Sequence, residues 1–265
     1  MVELKMETLV CRLDDGLARV TLTQAERGNP IDGAFSRDLN ALSVELSCRN
    51  DVRAVLIAAE GRFFSVGGDI RAFVKDLSQL PRIVKAWTAV LHPAIGRFQR
   101  MNAPVVCAVH GDVAGGAVSL AAMSDVLVAA EGVKFNAAFS MIGFCADSGS
   151  TVSLSNRMGL ARAKRFLLLS EVLDAREAQA AGLVDFVVPA AELAATAETY
   201  ARRLASGPTL AYGAIKRTIL SARTESFETQ LEHEAQALAE LASSEDVREG
   251  LSAFAARRKP EFKGR

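Results

Sequence analysis

The sequence predicts an α/β fold with a mostly parallel sheet. Three apolar runs, residues 53–59, 105–109 and 126–130, are rich in Val, Leu, Ile and Ala and are too short for typical helices. Continuous apolar runs of this length are typical of strands that are covered on both faces. Segments with helical spacing lie between these runs, and strands that alternate with helices indicate parallel pairing through crossover helices.

The C-terminal part of the chain has a different pattern. From residue 162 onward the spacing of apolar residues is helical almost throughout, apart from residues 183–188, and a Gly-Pro pair at 207–208 separates two helices. We therefore predict an α/β core at residues 1–200 and a helical region at residues 201–265. No Pro-rich or low-complexity linker separates the two, so the helical region is expected to pack on the core or on another subunit.

The N-terminal segment predicts a β-hairpin followed by a helix. Residues 7–13 and 17–23 read as strands, and the Asp-Asp-Gly sequence at 14–16 supplies the turn. Asp32 is a suitable N-cap for the next helix. Four apolar residues of that helix share one face: Phe35, Leu39, Leu42 and Leu46.

Three further helices are expected between the central strands. A short one spans about residues 69–77, a longer one residues 82–101, and a third begins near Ala117. We interpret Trp87 as a packing residue of the second of these helices. A helix break is expected at Pro93, because proline lacks the backbone N–H that a helix interior needs.

Composition excludes several classes of function. The 265 residues include 31 Lys and Arg and 31 Asp and Glu, so the net charge is zero, whereas a general nucleic-acid binder needs a basic excess. The chain starts without a signal-peptide pattern, and its apolar runs stop far short of the ~20 residues that cross a bilayer. We expect a cytoplasmic protein without nucleic-acid or membrane partners.

Cysteine and histidine spacing predicts no metal site. The three histidines form no HExxH pair, and the cysteines show no CxxC pattern. We expect all four cysteines to pack as small apolar side chains in a reducing compartment. They are Cys11, Cys48, Cys107 and Cys145.

Two glycine-rich loops share one layout, in which a buried strand ends, glycines follow and a helix begins. The glycine pairs stand at residues 67–68 and 115–116. Helix N-termini leave backbone N–H groups unpaired, and two such groups aimed at one point would stabilise a developing oxyanion. Either loop alone is equally consistent with an ordinary tight turn. Asp69 is interpreted as the cap of its helix.

Five sequence segments together resemble the crotonase, or enoyl-CoA hydratase/isomerase, superfamily. They cover nearly the whole chain in the family's order, at residues 63–70, 104–130, 139–149, 175–188 and 246–262. The resemblance implies a ClpP-like spiral of ββα units with a helical trimerisation region, and assembly as a homotrimer or a dimer of trimers. It also implies an acyl-CoA substrate, with coenzyme A present only as part of that substrate and no separate cofactor.

The resemblance assigns expected roles to residues of this chain. Gly68 and Gly116 would supply the two oxyanion N–H groups. Residues along the coenzyme A path would be Arg27, Gly28, Val66 and Ile70. Phe254 and Arg257 would reach the coenzyme A of a neighbouring subunit. The basic residues around Arg257 at the C-terminus are equally consistent with phosphate contacts and with a solvated tail.

Two departures from the family pattern bear on the reaction. Hydratases that this chain resembles carry two glutamates that position and activate water, and their positions here hold Ser119 and Phe139. A phenyl ring cannot transfer protons, and a serine without a base is a poor replacement. Hydration is therefore disfavoured. We place Phe139, Phe144 and Ser119 at the acyl pocket.

Asp147 remains as the candidate acid and base. An Asp-Ser-Gly sequence alone would predict a helix N-cap. However, residues 139–149 and 216–236 resemble the phenylacetate-pathway acyl-CoA isomerases, in which an aspartate at this position moves a proton. Burial among apolar groups would raise the pKa of this carboxyl and suit it to proton transfer. The sequence thus favours an enoyl-CoA isomerase that works through a thioester enolate.

Three alternatives remain open. The 4-chlorobenzoyl-CoA dehalogenases are also similar, and in that interpretation Asp147 is a nucleophile and His92 activates water. The tryptophan of the dehalogenase pattern is replaced by Phe139, which weakens that interpretation. A hydratase, as the family name would suggest, and a non-catalytic acyl-CoA binder are the other two. The sequence does not identify the acyl group.

Overall fold

The computed structural model describes residues 1–265. It contains ten strands: β1 (Val2–Lys5), β2 (Leu9–Asp14), β3 (Leu17–Leu22), β4 (Ala54–Ala59), β5 (Val105–Val109), β6 (Val113–Ala114), β7 (Val126–Ala130), β8 (Lys134–Asn136), β9 (Val172–Asp174) and β10 (Phe186–Val188). Its eleven α-helices are α1 (Gly33–Ser47), α2 (Ile70–Lys75), α3 (Leu80–Arg100), α4 (Gly116–Ala122), α5 (Ser150–Met158), α6 (Leu160–Leu168), α7 (Ala175–Ala180), α8 (Leu193–Ala205), α9 (Thr209–Ser221), α10 (Phe227–Ala242) and α11 (Glu245–Ala255).

The α/β prediction is confirmed by two sheets. Seven strands form the larger one in the order β1-β2-β3-β4-β5-β7-β10, and β6, β8 and β9 form the smaller one. Strands β1 to β3 are antiparallel, whereas β3, β4, β5, β7 and β10 pair in parallel. The predicted hairpin is present, and its turn places Asp15 and Gly16 at φ 49° and 74°. Strand β1 was not predicted, and neither were the short strands of the smaller sheet.

The central strands of the larger sheet are buried. Every residue of β5 is buried, as are most residues of β4 and β7. Helix α1 begins where predicted, with the Asp32 carboxylate accepting a hydrogen bond from Phe35 N at 2.9 Å. Helix α8 packs against the sheet through Leu193, Ala197 and Ala201. Residue 200, the predicted boundary, lies within α8.

Helix α3 differs from the expectation at Pro93. The helix runs without interruption from Leu80 to Arg100, with Pro93 inside it. The break predicted there is absent, because α3 buries Leu91, Ala94, Ile95 and Phe98 against the core on both sides of the proline. Packing of this face outweighs the loss of one backbone hydrogen bond.

The cysteines do not all pack as small apolar residues. Cys11 and Cys107 are buried, as predicted, but Cys48 and Cys145 are exposed. Cys48 follows the last turn of α1, and Cys145 lies in the loop before α5, so neither is carried by a buried strand. All four thiols are free.

No helix combines the length with the apolar character required to cross a lipid bilayer.

Candidate active site

An apolar cavity of about 360 Å³ opens beside the two glycine-rich loops. Its walls come from α2, α3, the start of α4 and the segment at residues 136–148. Thirteen of its twenty lining residues are hydrophobic. Gly68, Gly116 and Asp147, which the sequence singled out for chemistry, all line it.

The two glycine-rich loops are held against each other by backbone contacts. Ala114 N donates a hydrogen bond to Ser65 O at 3.1 Å. The first loop is also tied to the segment before α1, because Ile31 N donates to Gly67 O at 2.8 Å. Gly67 has a φ of 80°, and a β-carbon there would collide with the carbonyl oxygen of Ala114. Glycine at 67 therefore permits both the left-handed turn and the close approach of the second loop.

The backbone amides of Gly68 and Gly116 are both free. Neither N–H donates to an acceptor within the chain. Gly116 is the first residue of α4, where an N–H has no partner inside the helix, and the helix dipole places partial positive charge there. The cavity is thus lined by two unpaired donors from two loops in contact.

Asp147 is the one charged residue among those that line the cavity. Its Oδ1 lies 3.5 Å from the position of a β-carbon built on Gly116, so the carboxylate stands beside the start of α4. Burial raises the pKa of Asp147 above its ordinary value, and neighbouring Ser148 and His92 oppose this shift. A carboxyl with a raised pKa is suited to accept and return a proton near neutral pH.

Hydrogen bonds to its carbonyl oxygen fix the backbone of Asp147. Its carbonyl oxygen accepts hydrogen bonds from Ser150 N at 2.9 Å and from the Ser119 hydroxyl at 3.3 Å. Its side chain caps no helix, since the N-cap of α5 is Gly149. Ser119 itself is fully buried and is not among the residues that line the cavity. Ser119 lies behind the cavity wall, where its hydroxyl holds the backbone carbonyl of Asp147.

Aromatic side chains form the far wall of the cavity. Phe139 and Phe144, which the sequence placed at an acyl pocket, both line it. Phe73 contacts Trp87 with ring centroids 5.3 Å apart and Phe144 at 5.9 Å, edge to face in the second case. Trp87 therefore faces the cavity as well as packing its helix. Phe73 was not predicted as a cavity residue, because α2 is too short for its apolar spacing to show which face is buried.

His92 contacts the backbone next to Asp147 but does not line the cavity. Its Nε2 accepts a hydrogen bond from Ser148 N at 3.3 Å. The His92 side chain is exposed and lines a separate cleft of about 300 Å³, which Ser148 also lines.

The residues predicted for the coenzyme A path lie together at the cavity mouth. Val66 and Ile70 line the cavity and are partly exposed, and Val66 N donates to Gly28 O at 2.9 Å. The Arg27 guanidinium bridges Asp32 and Asp69 at 2.7 Å each. Asp69 also caps α2, as predicted, by accepting from Ala72 N. Arg27 thereby ties the N-termini of α1 and α2.

Phe254 and Arg257 lie in the C-terminal helical region and do not line the cavity of their own chain. The Phe254 side chain is 86% exposed. Of the basic residues nearby, Arg258 pairs with Glu249 and Arg265 pairs with Glu245. No group of three or more His, Cys, Asp or Glu side chains has a geometry that could hold a metal ion.

The sequence profile of the enoyl-CoA hydratase/isomerase family matches residues 12–265. The chain belongs to this family. It is 34% identical to the 1,2-epoxyphenylacetyl-CoA isomerase of Escherichia coli K12, over 98% of this chain and all of that protein. It is 32% identical to a probable enoyl-CoA hydratase of Rhodobacter capsulatus, over 97% of this chain and 98% of that protein.

Solved structures of the enoyl-CoA hydratase/isomerase family confirm the fold. An enoyl-CoA hydratase from Geobacillus kaustophilus superposes with a TM-score of 0.92 at 27% identity, covering 100% of this chain and 99% of that chain. The crotonase fold expected from the five sequence segments is therefore correct. Family membership also makes an acyl-CoA thioester the expected substrate.

Proposed function

We propose that this protein is an acyl-CoA isomerase, which shifts an enoyl-CoA double bond by moving a proton through a thioester enolate. The observation that carries the proposal is the position of Asp147. It is the one charged side chain on the wall of an apolar cavity, and its carboxylate stands beside the free amide of Gly116. A single carboxylate can remove a proton from one carbon and deliver it to another.

The reaction assigned to this geometry has two steps. Asp147 takes a proton from the carbon alpha to the thioester, and the electron pair moves onto the carbonyl oxygen as the enolate forms. The amides of Gly68 and Gly116 donate hydrogen bonds to that oxygen. The proton then returns from Asp147 at the gamma carbon, and the double bond moves into conjugation with the thioester. The thioester itself acidifies the alpha carbon, so the proposal needs no redox cofactor.

The cavity walls favour isomerisation over hydration. Addition of water requires a group that positions and activates the water, and the two candidate positions hold Phe139 on the wall and Ser119 behind it. Apolar walls also exclude water from an enolate. The printed name of the Escherichia coli relative, an acyl-CoA isomerase, supports the same choice, although the Rhodobacter capsulatus relative is named as a hydratase.

Coenzyme A and subunit contacts form the second part of the proposal. The thioester would enter past Val66 and Ile70, with Arg27 and Gly28 along the path, while Phe254 and Arg257 would contact the coenzyme A of a neighbouring subunit. Exposed apolar side chains on α9 to α11 support self-association, because isolated apolar patches of this kind are costly in water. They include Ile215, Ile219, Leu238, Leu251 and Phe254. Light scattering at several protein concentrations would give the subunit number, and a monomer would contradict this part.

Product analysis tests the proposed reaction. The purified protein is mixed separately with 3-enoyl-CoA, 2-enoyl-CoA and 4-chlorobenzoyl-CoA, and products are identified by chromatography and mass spectrometry. Asp147→Asn is compared with Asp15→Asn, which makes the same chemical change in an exposed turn. We expect an isomer of unchanged mass from the enoyl thioesters, with the rate lowered about 10²–10⁴-fold in Asp147→Asn only.

Other products would identify the alternatives. A gain of one water by 2-enoyl-CoA would show a hydratase. Replacement of chlorine by hydroxyl would show the dehalogenase chemistry, with Asp147 as nucleophile and His92 as base. Acyl-CoA affinity that is the same in wild type and Asp147→Asn, without product from any thioester, would indicate a non-catalytic binder.

A further inference from the structure

The Ser148 hydroxyl has no hydrogen-bond partner, although it is buried. The residue is 2% exposed, and its Oγ is one of two buried side-chain polar atoms without a partner in the whole chain. Leaving a buried hydroxyl unpaired costs free energy, so an unpaired hydroxyl at a site of chemistry calls for a functional explanation. Ser148 also lines the cavity, next to Asp147.

The backbone holds Ser148 in an unusual conformation. Its φ is 54°, in the left-handed region that residues other than glycine seldom adopt. Its N–H donates to His92 Nε2 at 3.3 Å, which anchors the residue from outside the cavity. The side chain is thereby directed to the same corner as the carboxylate, because Ser148 Oγ and Asp147 Oδ1 each lie 3.5 Å from one point, the β-carbon position of Gly116.

We propose that Ser148 is a positioning residue whose hydroxyl donates a hydrogen bond to the Asp147 carboxylate when that group is ionised, and so holds it against Gly116 in its proton-accepting form. Both oxygens lie at the same corner of the cavity, and the Ser148 hydroxyl has no competing partner. When Asp147 takes a proton, the hydroxyl is released. This inference rests on the proposed function of Asp147 as the base and deepens it.

Few other charged or titratable groups near Asp147 could hold its carboxylate. Helix α4 carries no titratable side chain, and Arg157 of α5 pairs with Asp185. His92 of α3 faces the segment from the outer cleft, and Cys145 lies in the same loop.

Two variants separate the hydroxyl from the backbone that carries it. Ser148→Ala removes the hydroxyl and keeps the strained conformation, whereas Ser148→Gly removes the hydroxyl and relieves the strain. We expect the pKa of Asp147 to rise by about one pH unit in both, because a hydrogen bond to the charged form is lost. The pKa is read by ¹³C NMR of carboxyl-labelled aspartate, with Asp147→Asn to assign the signal.

The kinetic readout is the pH profile of kcat/KM. Both variants should move its acidic limb to higher pH by the same amount as the NMR titration. An unchanged Asp147 pKa in both variants would overturn the proposal, as would a shift in Ser148→Ala that Ser148→Gly does not share. Because the NMR titration does not depend on turnover, a protein that isomerises none of the thioesters would overturn the proposed function while leaving the Ser148 bond testable.

Discussion

The carboxylate of Asp147 lies beside the first residue of α4, with Oδ1 3.5 Å from the β-carbon position of Gly116. This relationship places a proton acceptor next to an unpaired backbone donor in an apolar cavity. A base and an oxyanion donor on one side of a substrate are what enolate chemistry requires.

Substitution of Gly116 by alanine should reduce activity without unfolding the protein. The new methyl group would lie 3.3 Å from Ile31 Cδ1, a flexible side-chain end, and 3.5 Å from Asp147 Oδ1. The backbone N–H is kept, but the methyl group fills the corner between it and the carboxylate. We expect a melting temperature close to wild type and a loss of kcat/KM. Normal activity in Gly116→Ala would contradict the placement of the substrate in this corner.

Gly67→Ala, unlike Gly116→Ala, should lower the stability of the fold. Its β-carbon would collide with the Ala114 carbonyl oxygen, and a φ of 80° is unfavourable for alanine. The two glycine-rich loops would have to separate, so we expect the free energy of unfolding to fall by about 1–3 kcal/mol. Urea denaturation of the two glycine variants beside wild type measures the difference. Equal stability of Gly67→Ala and Gly116→Ala would contradict the described packing of the loops.

Activity should depend on pH through Asp147. Burial raises the pKa of this carboxyl, and the base must be ionised to accept a proton. The rate should therefore fall as pH decreases through a pKa above the ordinary range of aspartate. A kcat/KM profile that stays flat down to the pH where exposed aspartates titrate would contradict this role. Asp15→Asn is the control and should keep the wild-type profile.

Thermal stability should also depend on pH through Asp147, but in the opposite direction to activity. Because the folded-state pKa of Asp147 is raised, the ionised carboxylate destabilises the native state at pH values above that pKa. Asp147→Asn should melt at a higher temperature than wild type at pH 8. The difference should shrink as pH falls through the folded-state pKa and the native carboxyl takes a proton. Calorimetry at several pH values measures this difference in melting temperature. A higher melting temperature of Asp147→Asn that does not depend on pH would contradict the raised pKa of Asp147.

Thiol reagents should inactivate the protein through Cys145. This thiol is exposed and lines the cavity, whereas burial raises the pKa of Cys11 to about 11 and that of Cys107 to about 12. Alkylation at pH 8 should modify Cys145 and the exposed Cys48, and only the first adduct occupies the acyl site. We expect Cys145→Ser to resist inactivation and Cys48→Ser to remain sensitive. Inactivation of Cys145→Ser at the wild-type rate would contradict the cavity assignment.

The sequence predicted those elements whose local pattern agrees with their final packing. The apolar runs of β4, β5 and β7 are buried on both faces, and the Asp-Asp-Gly turn fixes the first hairpin. Strand β1 was missed because its residues are mostly exposed and alternate weakly. The continuity of α3 through Pro93 was missed because tertiary burial decides it, which no local propensity reports.

Site residues that stand in recognisable sequence motifs were predicted, whereas features that depend on three-dimensional packing were not. Gly68, Gly116 and Asp147 stand in sequence segments with recognisable patterns, and the structure brings them to one cavity. The place of Ser119 behind the wall depends on the direction in which a helix residue faces, which the motif did not fix. The unpaired hydroxyl of Ser148 is a property of three-dimensional packing and leaves no trace in the sequence.

In the proposed reaction, Asp147 removes a proton from the alpha carbon of a bound thioester. Hydrogen exchange tests it without any need for the natural acyl group. Phenylacetyl-CoA, whose alpha protons are activated by both the ring and the thioester, is incubated with the protein in D₂O, and the acyl mass is followed. We expect deuterium at the alpha carbon with wild type and Asp15→Asn, and no enzymatic exchange with Asp147→Asn. Exchange at the wild-type rate in Asp147→Asn would contradict this role of Asp147.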